Sequence, residues 1–326
     1  MDLITFGEGM IRLSPPEFKR IEQASYLNMN VGGSELNVAV TATRLGLPAS
    51  YVTRLTRNPL GRVIENKVRE HGVDTTHILW TDSDRVGVYF VEFGAAPRAN
   101  SVLYDRKNSS IAQIDPEEMD WPSILEGARI FHTSGITPAL SPSAAETTRQ
   151  AMQAAKELGI TVSLDLNYRP RLWSPETARP VMEELASLAN ILITTEEDTA
   201  RVFDIHEDDY EVVADTLAHR FDLDIVAITL RETPSVWKNH WSAVAYASGS
   251  IHRSPAYDVE VVDRVGSGDA FAGGFLFGLL SENVETAIRY GVAVSALKQT
   301  TPGDLCWATK DEVERILASD SLRIVR

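Results

Sequence analysis

Asp263-Arg264-Val265-Gly266-Ser267-Gly268-Asp269-Ala270-Phe271-Ala272-Gly273-Gly274 is the stretch on which the reading of this chain turns. An extended segment, Val259–Val262, runs into Gly-Ser-Gly and then into an apolar helix. Glycines there free the backbone and let a ligand approach closely. The first N–H groups of a helix have no intrahelical acceptor, and together with the helix dipole they form an anion site. Asp269 falls in the first turn, beside that site. A carboxylate there can accept a proton from an attacking hydroxyl while the N–H groups hold charge on a transferred phosphoryl group. Taken alone, the same residues read equally as a glycine-rich turn with Asp269 opening a helix.

Outward from this stretch, short apolar runs alternate with amphipathic ones. Strands are expected at Leu3–Phe6, Ser50–Thr53, Ile130–His132, Thr161–Leu164, Asn190–Ile193 and Ile225–Leu230. Helices are expected at Ser34–Leu45, Gly61–His71, Ser141–Leu158, Pro175–Leu188, Glu196–Phe203 and Glu211–Phe221. Ser141 reads as an N-cap with Pro142 at the first helical position. The alternation predicts an α/β fold, a mostly parallel sheet covered by helices on both faces. Two regions interrupt it. Met10 to Tyr26 is one. Arg85 to Arg106 is the other, where 86–92 and 101–106 read as paired strands. Together, at about 10–26 and 85–106, they predict a small β lid on a single domain spanning 1–326. A surface hairpin without a role is the alternative.

Composition excludes several classes. The 326 residues carry 31 Lys+Arg against 46 Asp+Glu, a net charge of −15. That argues against nucleic acid, which needs a basic footprint, and against an anionic membrane surface. The longest apolar run, Ala270 to Leu280, is too short to span a bilayer. No secretory signal is visible at the N-terminus, and the single cysteine, Cys306, excludes an intrachain disulfide. Both fit a cytoplasmic protein. There is no Gly-Lys pair for a Walker A loop, and Phe271 stands where a dinucleotide fingerprint has its third glycine. The seven histidines are scattered.

The 263–275 stretch resembles the C-terminal signature of the PfkB (ribokinase-like) sugar kinases. Val31-Gly32-Gly33-Ser34-Glu35-Leu36-Asn37-Val38-Ala39, with Leu45-Gly46 after it, resembles that family's first signature. The resemblance covers nearly the whole chain. It implies a three-layer αβα ribokinase-like fold with a β lid, ATP as phosphoryl donor and Mg²⁺ bridging phosphate oxygens. It casts Asp269 as the base and the N–H groups of Gly266, Ser267 and Gly268 as the anion hole. Glu197 is implied to organise the hydrated metal, and Thr229 and Arg231 to face the nucleotide. Two departures stand out. The family's Asn-x-x-Glu reads Thr194-Thr195-Glu196-Glu197, and its Thr-Leu-Gly reads Thr229-Leu230-Arg231.

Within the family the finer resemblance is to 2-keto-3-deoxygluconate kinases. It is carried by His132-Thr133-Ser134-Gly135-Ile136, Asp165-Leu166-Asn167-Tyr168-Arg169-Pro170-Arg171-Leu172-Trp173, the 86–106 segment and Thr301-Pro302-Gly303-Asp304. An acidic acceptor needs cations, and arginine's planar fork suits a carboxylate. The resemblance assigns Arg106, Arg169, Tyr89, Tyr104 and Gly33 to the substrate, with Asn37 and Asp304 as further hydroxyl partners. It implies transfer to the 6-hydroxyl of 2-keto-3-deoxygluconate. A neutral-sugar kinase such as a fructokinase and a non-catalytic sugar-acid sensor are the alternatives. The open edges of a lid sheet point to a homo-oligomer formed through the lid.

Overall fold

The computed structural model describes residues 1–318. Its first third builds the lid and one side of the main sheet: β1 (Leu3–Phe6), β2 (Met10–Ser14), β3 (Asn28–Gly32), α1 (Ser34–Leu45), β4 (Ala49–Thr56), α2 (Pro59–Glu70), β5 (Ile78–Thr81), β6 (Gly87–Glu92) and β7 (Ser101–Asp105). The middle third is regular βα alternation. It runs through α3 (Trp121–Ile124), β8 (Ile130–Ser134), α4 (Pro142–Glu157), β9 (Thr161–Asp165), α5 (Pro175–Leu188), β10 (Ile191–Thr195), α6 (Glu196–Phe203) and α7 (Tyr210–Phe221). An antiparallel run follows, β11 (Ile225–Ser235), β12 (Lys238–Ala247), β13 (Ser250–Arg253) and β14 (Tyr257–Glu260). Then come α8 (Ser267–Ser281), α9 (Val284–Gln299) and α10 (Lys310–Ala318).

The main sheet has ten strands in the order β13-β12-β11-β10-β9-β8-β1-β4-β5, with β14 also pairing β12. From β11 to β5 every pairing is parallel. A parallel sheet needs crossovers, and these place helices on both faces. The strands are accordingly apolar on both sides. In β10, Ile191 and Ile193 face one core while Leu192 faces the other. The first core is covered by α1, α2, α8, α9 and α10, the second by α3 to α7. Ser141 caps α4 as read, accepting from Ala144 N at 3.0 Å.

The lid is a separate four-stranded sheet in the order β3-β2-β6-β7. Its bounds differ from the expectation at 10–26. Residues 15–26 hold only a short 3₁₀ turn, Ile21–Gln23, while 28–32 supplies the edge strand β3. The reason is chain reversal: β3 pairs antiparallel with β2, so the intervening residues must turn back. No helix among the described residues is long and apolar enough to cross a membrane.

Packing of α1 against α8 brings the two glycine-rich segments together. A Cβ on Gly273 would lie 2.6 Å from Thr41 Cβ and 2.9 Å from the Val38 carbonyl oxygen. Only glycine permits that helix separation. Gly273→Ala is therefore expected to destabilise the fold by about 1–3 kcal/mol through overpacking, read as a lowered Tm. An unchanged Tm would contradict the tight α1–α8 contact.

Candidate active site

Asp269 sits in the first turn of α8, with its carboxylate held by the first turn of α1. Ser34 Oγ donates to Oδ1 and Asn37 Nδ2 to Oδ2, both at 2.7 Å. Asn167 Nδ2 in turn donates to Ser34 Oγ at 2.9 Å, and Asn167 N to Asp165 Oδ1 at 3.2 Å. Burial raises the Asp269 pKa, and the Asn37 and Ser34 bonds, then Arg169 and Lys298, pull it back. Asp165 is pushed well above the usual carboxylate range by burial and by the nearby Asp269 and Asp198. Asn37 is thus a partner of Asp269.

The loop before α8 is shaped by backbone contacts. Gly266 has φ +85°, and a Cβ there would lie 2.1 Å from the Asp304 carbonyl oxygen. Only glycine fits both constraints. Ser267 N donates to Arg264 O at 3.1 Å, which removes it from the expected anion hole. The N–H groups of Gly266, Gly268 and Asp269 have no acceptor among the described residues. These three are the donors an anion would meet at this helix end.

A cleft of about 460 Å³ joins these groups to Tyr89 and Tyr104 of the lid, Arg169, and Glu197, Thr229 and Arg231 on the far side. That volume is within the range of small-molecule sites. Among the described residues Arg169 makes one hydrogen bond, from Nη1 to Tyr168 O at 3.1 Å. Tyr89 and Tyr104 stack at 5.8 Å between centroids. A neighbouring cavity of about 980 Å³ is lined by Arg106, Lys107, Arg169 and Arg171 together with Tyr104.

Other expected residues lie behind the cleft wall. Arg106 is ion-paired with buried Glu8, which also accepts from Ser109 Oγ. Its Nε has no partner among the described residues, and its guanidinium lies 5.5 Å from the Tyr104 ring centroid. Asp304 is 2% exposed, with one oxygen bonded to Arg12 and the other to the Tyr89 hydroxyl. The geometry does not bring it to the cleft. Gly33 is enclosed as well: a Cβ would sit 2.1 Å from the Glu8 carbonyl oxygen, so glycine serves a backbone approach.

Glu197 is 55% exposed and pairs with Arg201 at 3.1 Å. Thr194, in the place of the expected asparagine, makes a hydrogen bond to Thr195 O at 3.3 Å. No cluster of three or more metal-ligating side chains occurs among the described residues. A cation here would therefore keep its water and ride on a bound phosphate, as Mg²⁺ commonly does.

Comparison with known proteins agrees with this arrangement. Residues 1–308 match the model of the pfkB family carbohydrate kinases. The chain belongs to the PfkB family. A 2-dehydro-3-deoxygalactonokinase of Haloferax volcanii is 43% identical over 326 residues, covering 100% of this chain and 99% of that protein. A 5-dehydro-2-deoxygluconokinase of Bacillus subtilis is 29% identical, covering 98% and 97%. The crystal structure of 2-dehydro-3-deoxygluconokinase from Thermotoga maritima superposes with a TM-score of 0.95 at 40% identity, covering 98% of both chains. This PfkB chain thus has the α/β ribokinase-like fold, with its large mostly parallel sheet and small lid.

Ser34, Asp165, Asn167 and Asp198 were not singled out as site residues from sequence. The signal for Ser34 was its place inside the first signature, three residues before Asn37. Asp198 carries a weaker one, following Glu196-Glu197, and its burial was invisible. It accepts from Tyr168 N at 3.2 Å, and burial raises its pKa. In this PfkB site, Asn37→Ala removes a donor that favours ionised Asp269. The acid limb of the kcat/KM profile is expected to move to higher pH, with kcat at pH 7 lowered about tenfold or more. An unmoved limb would contradict the Asn37–Asp269 bond.

Proposed function

We propose that the chain transfers the γ-phosphoryl group of ATP to the primary hydroxyl of a 2-keto-3-deoxy sugar acid, with 2-keto-3-deoxygluconate as the leading acceptor. The observation that carries this reading is Arg169. It lines the same cleft as Asp269 and the Gly266–Gly268 loop, and it forms no ion pair among the described residues. A guanidinium that faces Asp198, Asp165 and Asp269 without a close ion pair keeps donors for an anionic acceptor. The sugar-acid kinases among its relatives point the same way.

In this reading the acceptor lies against Tyr89 and Tyr104, its carboxylate on Arg169. Asp269 takes the proton of the primary hydroxyl, and the N–H groups of Gly266, Gly268 and Asp269 hold the equatorial phosphoryl oxygens. Thr229 and Arg231 flank the donor. Bound Mg²⁺ would neutralise charge on the donor phosphates, and Glu197 is the residue proposed to hold its water. Lid closure excludes water as a competing acceptor. The lid edges β3 and β7, with exposed Met29 and Leu103, support a homo-oligomer formed through the lid.

A coupled ADP-release assay over gluconate- and galactonate-derived keto-deoxy acids, fructose and ribose tests the reading. The keto-deoxy acids are expected to exceed fructose in kcat/KM by about 100-fold or more. Preference for fructose would sink it. Two variants sharpen the assignment. Asp269→Ala should lower kcat by several orders of magnitude with acceptor binding kept, and near-normal turnover would remove it as the base. Arg169→Met should raise KM about tenfold or more for the acids while leaving neutral sugars nearly unchanged. A uniform change across both would detach Arg169 from the carboxylate.

A further inference from the structure

Lys298 has no part in the chemistry above, yet it is 0% exposed in the last turn of α9. An enclosed ammonium is costly unless its charge is held. Its Nζ donates to the backbone carbonyl of Asp263 at 2.7 Å, and it forms no ion pair among the described residues. Asp263 begins the loop that carries the three open N–H groups.

α9 grips the same loop elsewhere. Gln299 O accepts from Val262 N at 2.8 Å and from Asp263 N at 3.1 Å. Ser295 Oγ donates to the Ser267 carbonyl at 2.8 Å. Residues 295, 298 and 299 share one helix face, being three and four positions apart. Both flanks of the 263–267 loop are therefore tied to one face of one helix.

The charged and titratable groups that face Lys298 come from four directions. They are Asp263 from the loop, Arg12 from β2, Cys306 from the C-terminal segment and Asp269 from α8. Arg12 is already paired with Asp263 and Asp304. Asp269 is in turn faced by Arg169 and Lys298, the two cations that favour its ionised form, and it lies near Asp165.

We propose that Lys298 is a positioning residue for phosphoryl transfer. It anchors the carbonyl side of the loop so that the Gly266, Gly268 and Asp269 N–H groups face the cleft. Its enclosed charge, from behind the loop, stabilises ionised Asp269 and the phosphoryl group in transfer. The inference rests on the kinase reading of Asp269. Burial lowers the Lys298 pKa to about 8. The ammonium is thus present at neutral pH and is lost as pH rises through that value.

The test is Lys298→Met, which keeps length and removes charge. It is assayed with whichever acceptor the wild type turns over fastest, so that a wrong sugar-acid assignment leaves the outcome readable. A kcat lowered about 10–100-fold is expected, with acceptor KM within about threefold. The acid limb of kcat/KM should move up by about half a unit or more, because a charge favouring ionised Asp269 is gone. A purely structural role would not move that limb. An unmoved acid limb in the folded variant overturns the proposal whatever the kcat. Should Lys298→Met fail to fold, the wild-type kcat profile decides. A decline centred near pH 8 supports the proposal, and a flat profile from pH 7 to about 9.5 overturns it.

Discussion

Two hydrogen bonds from the first turn of α1 hold the carboxylate that opens α8, and the site is organised around them. Asp269 is partly buried, and desolvation raises its pKa, so its ionised form is costly on its own. The donors Ser34 and Asn37 offset that cost, and they reach Asp269 only because α1 and α8 pack at a glycine-lined contact. The two glycine-rich segments are therefore coupled physically. One supplies Asp269 and the loop proposed to hold phosphate, the other supplies the donors that favour its ionised form and fix its direction.

A second buried network connects the lid to this centre. Arg12 of β2 bridges Asp263 and Asp304, and Tyr89 of β6 donates to Asp304. Asp263 also accepts from Val265 N and Gly303 N, both at 3.0 Å. The lid is thus tied to the anion loop through ions with almost no exposure. Removing one partner of such a pair leaves the other uncompensated, a loss of about 3–5 kcal/mol. The net charge of −15 poses no difficulty for binding anions. The cleft sets Arg169, Arg201, Arg231 and Arg264 beside Asp165, Glu197, Asp198 and Asp269, with open backbone N–H groups at the loop before α8, so the field an anion meets is local.

Much of this was legible in the sequence because local physics wrote it there. α1, α5 and α6 begin and end where the amphipathic spacing places them, and Ser141 caps α4 as read. The parallel sheet followed from the βα alternation. β3 escaped because Asn28-Met29-Asn30 lacks an alternating apolar pattern, its outer half being exposed. β12 and β13 escaped for a different reason: they form an antiparallel extension of a sheet read as purely alternating. Within the site, residue types were legible but pairings were not. Arg12 meets Asp304 across 292 positions, and Asn37 meets Asp269 across 232. No local pattern announces such contacts. That is why the side-chain partners of Asn37 and Asp304 were not legible.

In the proposed reaction one cleft aligns an acceptor hydroxyl, the Asp269 carboxylate and a donor phosphate held by the loop before α8. The most direct measurement is a crystal structure with 2-keto-3-deoxygluconate and a non-hydrolysable ATP analogue bound together. The account predicts the acceptor's primary hydroxyl at hydrogen-bond distance from Asp269, about 2.6–3.2 Å. It also predicts the γ-phosphate on the Gly266, Gly268 and Asp269 N–H groups. A hydroxyl turned away from Asp269, or phosphates seated elsewhere than this loop, would contradict it.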